Sequence, residues 1–316
     1  MMFGVFLSSG CSFNPPLQLA QITAEDRASL LLPVPFFPQE EFQCGPAALA
    51  GLLSAGGVES NPDELAAQVY LPGRQGSLQI EMKAATRRAG RIAYEIDPEV
   101  KSLIAQLGKG RPVLVFQNLG TPHFPIWHYA VLVGFDVQRN EVILNSGLER
   151  EKVMSAPAFL RTWDWAGRWA MVALRPGEWP AEPNIDRYLG ALADFGSTAT
   201  PADAERAWRA ALERWPDDTR PYLALGNLSY SEGDLHAAAG YYRGGLALDA
   251  FDAALSNNLA SVLGETGCPR SGELLLENAA RAVAEDSGWK SVFEQTLSEL
   301  AVRPGKDAAE CANFPD

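Results

Sequence analysis

The stretch Val34-Pro35-Phe36-Phe37-Pro38-Gln39-Glu40-Glu41-Phe42-Gln43-Cys44-Gly45-Pro46-Ala47-Ala48-Leu49-Ala50 joins a proline-rich segment to a run of small and apolar residues, with a single cysteine at the join. Prolines 35 and 38 hold the chain extended, because each fixes its own φ and disfavours the helical region for the residue before it. Gly45-Pro46 then reads as the first turn of a helix, where a missing N–H costs nothing. Ala47, Ala48, Leu49, Leu52 and Leu53 let that helix bury deeply, so Cys44 stands at its tip. A helix N-terminus offers unpaired N–H groups and the positive end of the dipole, both of which favour a thiolate. Position alone leaves two readings, a reactive thiol or a small buried side chain, the commonest state of a lone cysteine.

Working outward, residues 33–175 mix helical and strand patterns. Asn61-Pro62-Asp63-Glu64 supplies an N-cap, a proline at the first helical position and an acid at the capping-box position, and so opens a short helix reaching residue 70. A second helix is expected over 77–90, a strand over 91–96, a helix over 98–107 and a buried strand over 112–116. Residues 128–135 and 141–145 flank the polar connection 136–140 and read as a hairpin. Residues 169–174 give one more strand. Helices come first and the sheet second, an α+β order.

Pro176-Gly177-Glu178-Trp179-Pro180-Ala181-Glu182-Pro183 carries three prolines and marks a linker over 176–186. Beyond it the strand vocabulary disappears. A shift of 34 residues aligns Ala204 with Ala238, Trp208 with Tyr242, Ala211 with Gly245, Leu225 with Leu259 and Gly233 with Gly267. Those are the small and large positions of a tetratricopeptide repeat, in which small residues let two helices approach and an aromatic fills the gap to the next pair. About three such units fit 187–300, an all-α repeat region that would hold a protein partner or substrate, followed by a tail over 301–316. His236 falls at the inter-helix turn of the central unit, where a solvated surface role is expected.

Composition narrows the function. The 316-residue chain carries 26 basic and 39 acidic side chains, a formal charge of −13, which repels phosphate backbones and excludes nucleic acid as a partner. Four cysteines at 11, 44, 268 and 311 form no CxxC pair, and histidines 123, 128 and 236 are scattered, so no metal site or cofactor is expected. No run approaches the roughly eighteen apolar residues that span a bilayer. The start, Met1-Met2-Phe3-Gly4-Val5-Phe6-Leu7-Ser8-Ser9-Gly10-Cys11-Ser12, resembles the end of a bacterial lipoprotein signal. It is shorter than such signals, lacks a basic start and has Ser8 where they usually carry leucine; an unstructured N-terminus with an incidental cysteine is the alternative. On the lipoprotein reading, residues 1–32 are signal and linker, Cys11 is lipidated and the protein is periplasmic, with Ser12 compatible with outer-membrane sorting.

The segment around Cys44, together with His128-Tyr129-Ala130-Val131-Leu132-Val133-Gly134-Phe135-Asp136, resembles the C39-like, papain-fold cysteine peptidases over residues 33–175. The resemblance implies a peptidase domain with helices before an antiparallel sheet, Cys44 as nucleophile and His128 as its base. It implies Asn145 as the residue orienting the imidazole, and Gln39 as an oxyanion donor beside the Cys44 N–H, with Gln43 as substitute because Gln39 lies one residue closer than the family pattern. Asp136, about 26 Å along a straight strand from His128, is too far to orient it. A turn centred on Gln138 sets Asn145 opposite Val131, so a bulge or tighter turn is needed to bring it back to His128. His123, held between prolines in a loop, is the competing base and fits the cleft wall better. The expected activity is hydrolysis of a peptide or related amide. Acyl transfer or amidase chemistry on the same residues is one alternative, and a non-catalytic repeat scaffold with a relic peptidase half is the other.

Cys268 follows Gly267 at a turn of the last repeat, and Cys311 lies in a polar, proline-containing tail. A free thiol there is a liability in an oxidising compartment, which predicts a Cys268–Cys311 disulfide; two unrelated thiols are the alternative. The bond would close a 43-residue loop, for which chain entropy gives about 4 kcal/mol at best.

Overall fold

The structure is a computed structural model and describes residues 17–22, 28–38, 44–284, 287–306 and 311. These fall into two compact units. The first takes the described residues up to Ala89, then Ala93–Ala173 and Pro180–Glu182; the second takes Gly90–Ile92, Leu174–Trp179 and the residues from Pro183 on.

In chain order the first part runs β1 (Ser29–Leu31), α1 (Cys44–Ala55), α2 (Pro62–Val69), β2 (Tyr70–Leu71), β3 (Gly76–Ser77), α3 (Gln79–Arg88), β4 (Ile92–Glu95), α4 (Val100–Gly108), β5 (Val113–Asn118), β6 (Trp127–Asp136), β7 (Glu141–Ser146), β8 (Glu149–Ser155), α5 (Ala156–Asp164) and β9 (Ala170–Leu174). This is an α+β arrangement with helices ahead of an antiparallel sheet. The α2 cap forms as its sequence dictates, with Asn61 Oδ1 accepting the Asp63 N–H at 2.9 Å and Pro62 in the first turn. The next helix begins two residues later than expected, because Ser77 pairs with Tyr70 in the β2–β3 ladder and cannot also cap α3. β8 and α5 have no counterpart in the sequence reading. Glu149-Arg150-Glu151-Lys152 is too charged to read as a strand, yet β8 is an exposed edge strand, where charge blocks pairing with another chain.

The main sheet runs β4-β9-β5-β6-β7-β8, with β1 also paired to β6. β5 takes residues 127–132 of β6, and β1 takes 134–136. Gly134 permits this junction, since a Cβ there would lie 2.3 Å from the Leu30 carbonyl oxygen. Helix α1 packs on the sheet face that carries Leu114, Tyr129, Val131 and Val133, and its Leu49, Leu52 and Leu53 are nearly inaccessible to water. At roughly 1.5–3 kcal/mol per buried leucine, that contact anchors the helix whose first residue is Cys44. The opposite face carries Gln117, whose amide donates to the buried Thr162 hydroxyl of α5 at 2.7 Å.

The second unit is helical: α6 (Ile185–Gly196), α7 (Pro201–Arg214), α8 (Thr219–Ser231), α9 (Leu235–Leu248), α10 (Ala253–Glu265), α11 (Pro269–Ala279) and α12 (Trp289–Ala301). Asn184, Thr200, Asp218, Asp234 and Asp252 each cap the helix that follows through a side-chain oxygen. Helices α8 and α9 touch so closely that a Cβ on Gly226 would fall 2.2 Å from the Tyr242 ring. Gly245 meets Leu255 of α10 at 2.5 Å on the same measure. His236 is an exposed residue within α9 rather than in the preceding turn. Trp179 of the proline-rich segment stacks on Tyr188 and packs against Trp215, and the Tyr188 hydroxyl donates to the Glu178 carbonyl at 2.8 Å. Cys268 is bonded to Cys311, with 5.6 Å between their Cα atoms. Cys268 is buried among Leu259, Val262 and Leu263, so the bond ties the end of the chain to the core of these helices. No helix among the described residues is long and apolar enough to cross a membrane.

Candidate active site

Cys44 is the first residue of α1 and, among the described residues, the one cysteine outside a disulfide. Gly45 behind it is required by space: a Cβ would lie 2.5 Å from Ser77 Oγ and 2.8 Å from Ser77 Cβ. The two-residue β3 strand therefore presses directly on the first turn of α1. Tyr129 secures the same junction from the sheet, its hydroxyl donating to the Ser77 carbonyl at 3.3 Å. Near Tyr129 the β6 strand has lost its β7 partner, whose pairing ends at Val131.

Burial pushes the Cys44 thiol above its ordinary range, against hydrogen bonds from the backbones of Tyr129, Gly45 and Cys44 itself, which favour the thiolate. Desolvation outweighs the helix terminus, so Cys44 rests as a thiol. His128 is half-buried, and burial, with the charge of Lys152 adding to it, lowers its imidazole to about 4. It too is neutral at pH 7. Burial and the neighbouring Cys44 charge likewise raise the Tyr129 hydroxyl.

Cys44 and His128 line one cleft of about 830 Å³, together with Arg74, Ser77, Phe116, Trp127 and Tyr129. Among the described residues no hydrogen bond joins the thiol to the imidazole. The imidazole Nε2 instead lies 2.9 Å from Ser146 Oγ. Asn145, the residue expected to orient the ring, makes its side-chain hydrogen bond elsewhere. Asn145 sits opposite Val131: the pairs near the turn, Asp136–Glu141 to Gly134–Ile143, would set it opposite Leu132, and the bulge between Leu132 and Gly134 moves it one residue toward His128 but still leaves it three residues short. Directly opposed residues share a face, so Asn145 points with Val131 toward α1, where it lies against Pro35, Phe36 and Ala48, and its Oδ1 accepts the Glu151 N–H at 3.0 Å. His128 is three residues from Val131 and therefore on the opposite face, the one Ser146 also occupies. The sequence sets Ser146 beside Asn145, but only the pairing register shows which of the two shares the face of His128. Gln39 and its substitute Gln43, the expected oxyanion donors, lie outside the described residues, as do Cys11 and Ser12. His123 is exposed in the β5–β6 loop and does not line the cleft. Among the described residues no group of three or more His, Cys, Asp or Glu could hold a metal ion.

Residues 31–171 match the model of the Peptidase_C39 like family, and this part of the chain is a C39-like peptidase domain. Comparison with curated proteins finds no match. Among solved structures, a double glycine motif protease from an AMS/PCAT transporter, in complex with its leader peptide, is 20% identical. That likeness covers 45% of this chain and 92% of the protease, with a TM-score of 0.37. A structure described as a C39-like peptidase from Bacillus anthracis is 17% identical, covering 46% of this chain and 98% of its own, with a TM-score of 0.39.

Proposed function

We propose that the N-terminal domain is a thiol hydrolase of the cysteine peptidase type, acting on a peptide or related amide bond, with Cys44 as nucleophile and His128 as general base. The observation that carries this reading is that both residues line one cleft, inside the span matched by the C39-like family. As the Cys44 sulfur bonds to the carbonyl carbon, its proton passes to His128 and the carbonyl π pair moves onto oxygen. The oxyanion is held by the Cys44 N–H and, on the sequence pattern, by Gln39. His128 then gives the proton to the leaving nitrogen as the C–N bond breaks, and water, deprotonated by the same imidazole, releases the acyl group from sulfur.

A non-catalytic reading is favoured by a separate observation: the thiol and imidazole are not hydrogen-bonded and both rest neutral. A peptide library incubated with the wild-type chain, Cys44→Ala and His128→Ala separates the two. Cleavage that both substitutions abolish supports the hydrolase; turnover unaffected by Cys44→Ala, or none from any chain, supports the scaffold.

The helical region then serves as a tetratricopeptide-type array that holds substrate or a protein partner. Support comes from the 34-residue offset and from the close glycine contacts at Gly226 and Gly245 that this spacing predicts. In a pulldown, a chain shortened to lack α6–α12 should lose partner binding, and unchanged binding would remove this role. Cys11 is proposed as a lipid attachment site that places the protein at the periplasmic face of a membrane. A fatty-acid probe that fails to label full-length protein, but labels a control lipoprotein, would refute it.

A further inference from the structure

We infer that Ser146 is the residue that positions His128 for proton transfer, so that this cysteine site operates with a neutral hydroxyl where an amide or carboxylate side chain is expected. The inference rests on the reading of Cys44 and His128 as the reacting pair. Its geometric basis is the 2.9 Å contact between His128 Nε2 and Ser146 Oγ. Ser146 is 8% exposed and is the last residue of β7, where the pairing to β8 shifts between Leu144 and Ser146. That irregularity ends the regular ladder at the position diagonal to His128, and the hydroxyl there has His128 as its hydrogen-bond partner.

A hydroxyl both donates and accepts. When Ser146 Oγ accepts the Nε2–H, the neutral imidazole carries its lone pair on Nδ1, the nitrogen left to take the Cys44 proton. After that transfer Nε2 still donates to the same oxygen, so the ring keeps its orientation through the reaction. A hydroxyl supplies no counter-charge, however. On the face that His128 takes, Ser146 lies on β7, the charge of Lys152 reaches the ring from β8 and the neutral Gln117 stands opposite it on β5, while the Cys44 thiol and Tyr129 belong to the α1 side and share with His128 the edge of one cleft. Arg74 stands on the cleft wall, and no carboxylate is among the described residues lining the cleft. Lys152 itself is paired with Glu149. The site is therefore built to hold a neutral thiol and a neutral imidazole, with charge separated only as substrate is attacked.

The test uses the full chain as Ser146→Ala, Ser146→Thr and Ser146→Asp. Two readouts are taken: the pH profile of Cys44 alkylation by iodoacetamide, and the NMR titration of the His128 ring. Ser146→Ala should slow alkylation at pH 7 by about tenfold and alter the ring's tautomer balance, while Ser146→Thr, which keeps the hydroxyl, restores both. Ser146→Asp places a carboxylate against the imidazole and should raise its pKa by about one to three units, extending alkylation to lower pH. Unchanged alkylation and an unchanged His128 titration in Ser146→Ala would overturn the inference, as would Ser146→Asp leaving the imidazole where it is. If Ser146→Ala fails to fold, the Thr and Asp variants decide by the same readouts. The ring titration needs no substrate, so a failed peptidase reading remains distinguishable from a failed role for Ser146.

Discussion

Acidification from pH 7 to pH 4 should destabilise the N-terminal domain through one side chain. An ordinary histidine titrates near 6.5, and His128 in the folded chain is pushed down to about 4. Above pH 6.5 the ring is neutral in both folded and unfolded chains and contributes nothing. Between 6.5 and 4 the unfolded chain binds a proton that the folded one refuses, so stability falls as pH falls; below 4 both are protonated and the penalty is complete. At about 1.4 kcal/mol per pKa unit, the gap amounts to about 3 kcal/mol. The half-buried ring retains some solvent screening, which makes that an upper figure. The assay is urea unfolding of wild type and His128→Gln at several pH values. The variant cannot titrate there, so the difference between the two removes every other group's contribution. The stability of wild type relative to the variant should be flat above pH 6.5 and fall by up to about 3 kcal/mol on reaching pH 4. A difference that stays level across this range, or a His128 resonance titrating near 6.5, would refute the burial argument.

Gly45→Ala would place a methyl group 2.5 Å from Ser77 Oγ and 2.8 Å from Ser77 Cβ, and since that Cβ is fixed to its backbone, turning the hydroxyl away does not relieve the clash. It should cost about 1–3 kcal/mol in denaturant unfolding and change the reactivity of Cys44, whereas an unaltered alkylation rate would show that the first turn of α1 has slack. Separately, replacing Cys268 and Cys311 by serine removes a cross-link over 43 residues and should lower stability by up to about 4 kcal/mol. Alkylation of the denatured, unreduced wild-type chain should leave the peptides containing those two cysteines unlabelled, and label on either would contradict the bond.

Much of this protein is legible in its sequence because the decisive signals are local. Asn61-Pro62 caps α2 whatever surrounds it, since the cap bonds to its own first turn. Gly45-Pro46 after Cys44 opens α1, and the periods of the 128–135 and 141–145 segments announce the β6–β7 hairpin, although counting from Gln138 gives its register only beyond the bulge, at Leu132–Leu144 and Val131–Asn145. The polar edge strand β8 escapes such a reading because its charges serve the solvent face of an edge rather than a core. Ser77 has the chemistry of a helix cap, but its pairing with Tyr70 claims it for β3.

Residue order is enough to say that a cysteine begins a buried helix, that a histidine stands at the start of a strand, and that the strand after it carries Asn145 and Ser146 side by side. Which of those two neighbours meets the imidazole depends on the face each side chain takes, and that follows from pairing across strands. Folding selects Ser146, because Asn145 opposite Val131 points toward α1 while His128 points away from it. Packing also decides the protonation of the site. A helix terminus read alone favours a thiolate at Cys44, but burial against Tyr129 and the sheet withdraws the water that would stabilise the charge, and the thiol and imidazole are both left neutral.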